Sequence, residues 1–432
     1  MVGFANAEGG LIAAGIHDGM IEGTAGSNRM NDWRQAALDF SRPPVRHRFD
    51  LLPCTNAKGE RDEIVLIEVE SSANVHTTAK GDTYLRVGDE NRRLGLIESQ
   101  ELRYDKGESH FDGTPIPDTG IGDLDDALVE RYLQRLGATG EAGLVLKARG
   151  LAVEKDGEVM LTVAGLMVLG SKPQVHLPEA FMRLLVYRGA FRESGIRANV
   201  IGDIKAEGPI PSQIDVIREE TLKALPQAVR LRQEGKFGTG GLIPQSAWLE
   251  AVVNAATHRS YSIGGDHIRV ELFDDRLEAE SPGRLPGLVR LDNIRSSRFA
   301  RNPRIARAMS DLGYGRELGE GVNRMFEDMH FAGLPNPVYS DRASSVQVTL
   351  LADPLAGRIL ALLPAGSEQF VEFLSGRDKI TTTEAVDLLG ASRPTVLKYL
   401  KELSEKGIIR HVGKSPKDPR GYWELRRGGG YF

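Results

Sequence analysis

Residues 249–261 read LEAVVNAATHRSY. Leu249, Val252, Val253 and Ala256 recur at helical spacing, so the segment reads as a helix with an apolar stripe facing a core. Glu250, Asn254 and His258 fall at i, i+4 and i+8 and form one polar ridge along the same helix. A carboxylate, an amide and an imidazole in a row serve either a face turned to water or a polar site. Strand-like runs lie on both sides, FMRLLVYRG before it and HIRVELFDDRLEAES after it. The fold class expected is therefore multidomain α/β (α+β).

At 432 residues the chain is too long for one ordinary core. Its net charge of −5 makes it no general polyanion binder, so any DNA contact must come from a local patch. The single cysteine, Cys54, rules out a disulfide framework within the chain and any multi-cysteine zinc site, and it fits a reducing cytoplasm. No apolar run is long enough to span a bilayer, and MVGFANAEGG lacks a signal-peptide pattern, so a cytoplasmic protein with no membrane partner is expected.

Composition shifts suggest boundaries. Residues 106–122, KGESHFDGTPIPDTGIG, are rich in Gly, Pro and Asp and read as a linker. A first domain would then cover 1–105 and a helical, winged connector 123–205. The connector includes a turn centred on Asp156-Gly157 and a helix starting near Thr162. A domain at 206–353 holds the polar ridge, and 354–432 forms the last unit.

Two segments downstream of the ridge carry glycines at chemically useful places. SPGRLPGL, residues 281–288, follows a strand, and GRELGEGVNRM, residues 315–325, puts Gly319 and Gly321 at the start of a helix. Glycine lets a backbone close on a phosphate, and a helix N-terminus offers free N–H donors. With these blocks on the page, about residues 240–352 resemble the GHKL family of ATP-binding domains, in the branch labelled the C-terminal domain of helicase-related proteins. The resemblance implies a Bergerat-type α/β sandwich binding ATP and Mg²⁺. Carried over, Glu250 would activate a hydrolytic water and Asn254 would hold Mg²⁺. Asn254, His258, Ser281, Gly283, Leu285, Gly319 and Gly321 would surround the nucleotide. The chemistry suits these roles, since a carboxylate can polarise water and an amide oxygen suits a hard cation. One departure stands out. Most such domains carry an Asp in the second block that reads the adenine amino group, whereas this chain has Glu280-Ser281-Pro282-Gly283. Glu280 or Ser281 is the available stand-in.

The N-terminal stretches FANAEGGLIAAGIHDGMIEG, IVLIEVESS and DTYLRVGDENRRL resemble the AlbA-type domain of Schlafen proteins and bacterial regulators, a nucleic-acid-binding module. Schlafen nucleases place catalytic acids on a helix upstream of the Phe4-Ala5-Asn6 block. No such helix precedes that block in the sequence from Met1; either the native start lies upstream or this copy has lost the nuclease part, and nuclease activity is not expected. Glu68 and Glu70 read as solvated strand-end charges. Arg86, with Arg92 and Arg93, could meet phosphates. The stretch 120–240 also resembles the connector between such domains.

Residues 379–427 read as helix, turn, helix and hairpin, the order of a winged helix-turn-helix. Thr382 or Thr383 would cap the first helix, and Gly390 would end it. Val396, Leu397, Leu400 and Leu403 form the buried stripe of the second helix. Residues 392–427 hold ten Lys/Arg against four Asp/Glu, a local +6. On this reading Arg393, Thr395 and Lys398 face the major groove of double-stranded DNA, and Lys414, Lys417 and Arg420 reach the neighbouring backbone or minor groove.

The leading expectation is a DNA-binding, ATP-binding regulator, transcriptional in role. A homo-oligomer, specifically a dimer, is expected of a two-fold DNA reader. A rival is an ATP-hydrolysing nucleic-acid-processing or phage-defence enzyme with weak ATPase activity. A motor helicase is not expected, because no GxxxxGK[ST] loop is present. The third possibility is a nucleotide-independent DNA-binding scaffold.

Overall fold

The computed structural model describes residues 1–193, 195, 198–225, 227–231, 237–315, 320–342 and 344–352, then 370, 373, 374, 377, 379–405, 408–413 and 421–425. The mixed α/β, multidomain class expected from the sequence is what it shows. The central feature is a six-stranded sheet whose strands run, in spatial order, Val200–Ala206, Met182–Tyr187, Ile268–Leu272, Arg276–Pro282, Ser345–Leu351 and Val338–Asp341. Only the pairing of Met182–Tyr187 with Ile268–Leu272 is parallel; the other four are antiparallel.

Helices Ile210–Ala224 and Gln245–His258 lie on one face of this sheet. Of the apolar stripe of the second helix, Val252 and Ala256 have no exposed surface, Val253 is buried and Leu249 is partly buried; Ala247 and Trp248 are also fully inside. The opposite face is charged. Glu278 accepts from Arg192, Arg276 and Gln347, and Glu271 accepts from the Tyr187 hydroxyl and from Arg192. Burial raises the Glu271 carboxyl above its ordinary range. Strand alternation separates the two chemistries, so Ala279 and Ser281 face the helices while Glu278 and Glu280 face away.

Two expected boundaries change. A division at 205/206 would cut this sheet, because Met182–Tyr187 and Val200–Ala206 are its first two strands; the alternating apolar positions of both strands need the helices beyond residue 206 for cover. The stretch 106–122 is not a linker either. Asp112 has no exposed surface and accepts from the backbone N–H groups of Arg304 and Ile305 and from the Arg304 guanidinium. A carboxylate thus fills the N-terminus of helix Pro303–Asp311, where free donors and the helix dipole favour it. Ile116 is buried in the central core. The Asp156-Gly157 turn and the Thr162 cap stand where expected, with hairpin Ala152–Lys155/Glu158–Leu161 and helix Val163–Leu169.

At the N-terminus, a short helix Val2–Asn6 precedes a three-stranded sheet ordered Gly10–Ala14, Arg61–Val69, His47–Thr55. Asn6 clips this domain together: its amide nitrogen donates to the carbonyls of His76 and Tyr84, and its oxygen accepts from the His76 N–H. At the C-terminus, helices Thr382–Leu389 and Arg393–Glu405 are followed by strands Ile409–Val412 and Tyr422–Leu425. Lys379–Ile380 completes a three-stranded sheet with them. Val396, Leu400 and Leu403 are fully buried with Trp423 and Ile380. The first helix is capped by Thr381, not by Thr382 or Thr383: Thr381 and Glu384 form a reciprocal capping box. Thr382 instead accepts from the Trp423 indole.

Candidate functional site

A cavity of about 380 Å³ opens where the end of helix Gln245–His258 meets strand Arg276–Pro282 and the start of helix Gly321–Phe331. Its size falls within the ~300–1,000 Å³ usual for small-molecule sites. Glu250, Asn254 and His258 all line it. So do Ser281, Gly283, Leu285 and Gly321. Of the nucleotide residues expected from the sequence, Gly319 lies outside the described residues. The ridge is therefore one wall of a cavity, not a water-facing side.

The ridge residues differ in how they are held. Glu250 is 7% exposed, and one carboxylate oxygen accepts from Arg324 at 2.5 Å, joining helix Gln245–His258 to helix Gly321–Phe331. Arg324 was not singled out from the sequence; its place three residues after Gly321, on the helix that the glycines begin, was the only available signal. Among the described residues, the buried Asn254 amide nitrogen has no hydrogen-bond partner, and the same is true of His258 Nδ1. Buried polar atoms are normally paired, so two orphans at one cavity mark a place built for a polar ligand. Burial, with the Arg301 guanidinium nearby, lowers the His258 imidazole to about 4, so it is neutral at pH 7.

Arg259, the other half of the His-Arg pair, faces elsewhere. It is 2% exposed and donates to the carbonyls of Glu179, Ile263 and Asp266, which ties down the chain after the helix. Glu280 is ruled out as a stand-in for the missing Asp, because it sits on the charged face with Ser345 and Arg342. Ser281 is on the cavity side and donates its proton to the Ala255 carbonyl at 2.7 Å. Its oxygen is left to act only as an acceptor.

The glycines have a reason beyond ligand approach. Gly283 has φ +110°, and a Cβ there would come within 2.8 Å of the Ser260 Cβ. A Cβ on Gly321 would collide with the Glu250 carboxylate. Both make room for the protein's own side chains at the cavity rim.

The expected nucleic-acid residues lie elsewhere. Arg86 is half-buried and stacks over the Phe4 ring at 4.9 Å. Arg92 and Arg93 are paired with Glu98 and Asp82. Arg393, Thr395 and Lys398 are exposed on helix Arg393–Glu405, and Thr395 shares a hydrogen bond with Ser392. Lys414, Lys417 and Arg420 lie outside the described residues. Among the described residues no helix is long and apolar enough to cross a membrane, and no cluster of His, Cys, Asp and Glu could hold a metal.

Comparison with known proteins agrees with two of these domains. A family model described as "Putative ATP-dependent DNA helicase recG C-terminal" matches residues 265–350, which include Ser281, Gly283, Leu285 and Gly321 but not helix Gln245–His258. A model described as "Schlafen, AlbA_2" matches residues 1–95. No curated protein matches the chain. Among solved structures, the crystal structure of the DIP2311 protein from Corynebacterium diphtheriae is similar over 98% of this chain and 85% of that one, with 21% identity and a TM-score of 0.47. Residues 1–95 are thus similar to a Schlafen AlbA_2 domain, and residues 265–350 to a domain of the recG C-terminal type.

Proposed function

We propose that the protein is an ATP-binding, DNA-binding regulator of transcription, in which the cavity senses nucleotide and the C-terminal unit reads duplex DNA. The observation that carries the nucleotide half is a pair of buried groups, Asn254 Nδ2 and His258 Nδ1, that have no partner among the described residues and belong to side chains lining one cavity with Ser281 and Gly321. An unpinned amide can turn its oxygen toward a hard cation, so Asn254 is the residue that would hold Mg²⁺. Bound there, Mg²⁺ would neutralise phosphate charge. The acceptor-only Ser281 oxygen suits an exocyclic amino group on the base.

The DNA half rests on the helix–turn–helix and hairpin order at 382–425, read here as a winged helix with Arg393, Thr395 and Lys398 on its open face. Arg86 is a weaker candidate, because its guanidinium is already engaged by Phe4. A dimer would present two such readers to a two-fold site. Duplex binding measured with and without Mg²⁺-ATP tests the combined reading. An ATP-dependent change in affinity supports it; duplex binding indifferent to ATP favours a scaffold.

A second reading is slow ATP hydrolysis. It is favoured by Glu250, whose carboxylate lines the cavity while Arg324 fixes its orientation. Phosphate release in the presence of Mg²⁺-ATP, lost in Glu250→Gln, is its test.

A further inference from the structure

We propose that occupancy of the cavity is coupled to the N-terminal domain through the irregular stretch 283–300, with the Asp105–Arg301 ion pair as the joint. This rests on the nucleotide reading of the cavity and adds how that site is regulated.

The stretch 283–300 contains neither helix nor strand. Structureless loops beyond ~12–15 residues are uncommon in a compact domain and are usually either functional or linkers. Leu285, Val289, Ile294 and Phe299 from this stretch line the cavity on one side. Its other side is fastened to the segment that leaves the N-terminal domain. The Gly287 N–H donates to the Asp105 carbonyl at 2.5 Å. The Phe299 ring fills the space that Cβ atoms on Gly107 and Gly287 would need. Arg290 donates to the Ser71 hydroxyl at 2.9 Å. One stretch is therefore at once a cavity wall and a docking surface for residues 71–107.

Arg301 closes the connection. It is 3% exposed, donates to the Arg284 carbonyl at 2.6 Å, and pairs with Asp105 at 2.5 Å. Next in sequence, Lys106 is buried and donates to the carbonyls of Ala5 and Ser72. Ala5 adjoins Asn6, whose amide holds the Tyr84 carbonyl at the start of the strand bearing Arg86. Charged and hydrogen-bonded contacts run without a gap from the cavity wall to that strand. A ligand that moves Leu285 or Phe299 must either carry Asp105 along or break an ion pair whose Arg301 side is buried and whose Asp105 side is partly exposed. Separating them would leave the buried Arg301 guanidinium without its carboxylate, so the two domains respond together.

The test is hydrogen exchange on the full chain with and without Mg²⁺-ATP, alongside calorimetry of the same samples. In the wild type, ATP should slow exchange by about threefold or more in peptides from 283–300 and also in peptides from 1–8 and 72–78. In Asp105→Asn, which keeps the shape but removes the charge, the loop should still respond and the N-terminal peptides should not. Arg290→Ala, an exposed change that leaves the core alone, should give a smaller loss of the same response if Asp105→Asn proves unstable. The coupling is overturned if the loop responds while the N-terminal peptides never do, or if they respond equally in wild type and variants. Absent ATP binding in the calorimeter would overturn the nucleotide reading itself, and the coupling with it; a calorimetric signal with a silent N-terminus overturns the coupling alone.

Discussion

Glu250, which lines the cavity, and Arg324 on another helix meet at 2.5 Å, and Gly321 stands where any side chain would strike that carboxylate. Three residues from two helices thus fix one oxygen pair beside the cavity. Gly321→Ala must displace Glu250, and overpacking of this kind costs ~1–3 kcal/mol. Thermal unfolding should show a lower Tm, and Glu250→Gln combined with Gly321→Ala should recover little, because the clash is steric.

Asp112 supplies a second prediction. Its carboxylate is fully buried and caps helix Pro303–Asp311 through two backbone donors and the Arg304 side chain. Asp112→Ala would leave those donors unpaired and should destabilise the protein by about 2–4 kcal/mol in urea. A loss under ~0.5 kcal/mol, as expected for exposed substitutions, would mean the stretch 106–122 is a tether after all.

The fate of that stretch shows where the sequence was legible. Helix Gln245–His258, its polar ridge and the hairpin at Asp156-Gly157 could be read locally, because periodicity and turn chemistry decide them. Residues 106–122 misled because Gly and Pro mark irregular backbone, not exposure; only the distant helix at 303 makes Asp112 structural. Likewise nothing local says that Val200–Ala206 pairs with Met182–Tyr187 inside the central sheet. Glu280 and Ser281 are neighbours in sequence, and strand alternation sends them to opposite faces. The cap fell on Thr381 because three threonines in a row, Thr381, Thr382 and Thr383, offer the same chemistry one residue apart.

His258 gives a pH dependence. Its folded-state value, about 4, lies below the ordinary 6.5, so between those values the unfolded chain binds more protons than the folded one. Stability is therefore greater above pH 6.5 and falls as pH drops toward 4. Allowing for partial exposure, the loss from this group is on the order of 2 kcal/mol. Chemical denaturation at pH 7 and pH 4.5 should show a smaller difference in His258→Gln than in the wild type.

The C-terminal unit is tested by its exposed cations. If Arg393 and Lys398 meet DNA, each change to alanine should weaken duplex binding, and a lost phosphate contact should reduce the salt dependence by about one unit of slope. Leu400→Ala would also abolish binding, but by unfolding a core residue with no exposed surface, so circular dichroism must accompany it.

The most direct test of the account is calorimetric titration of Mg²⁺-ATP into the wild type and Asn254→Ala. Asn254 Nδ2 has no partner among the described residues, so the substitution should leave the fold intact and weaken binding by more than about tenfold, a cost above ~1.4 kcal/mol. Equal binding by both proteins, or no binding by either, would contradict the claim that this cavity is a nucleotide site.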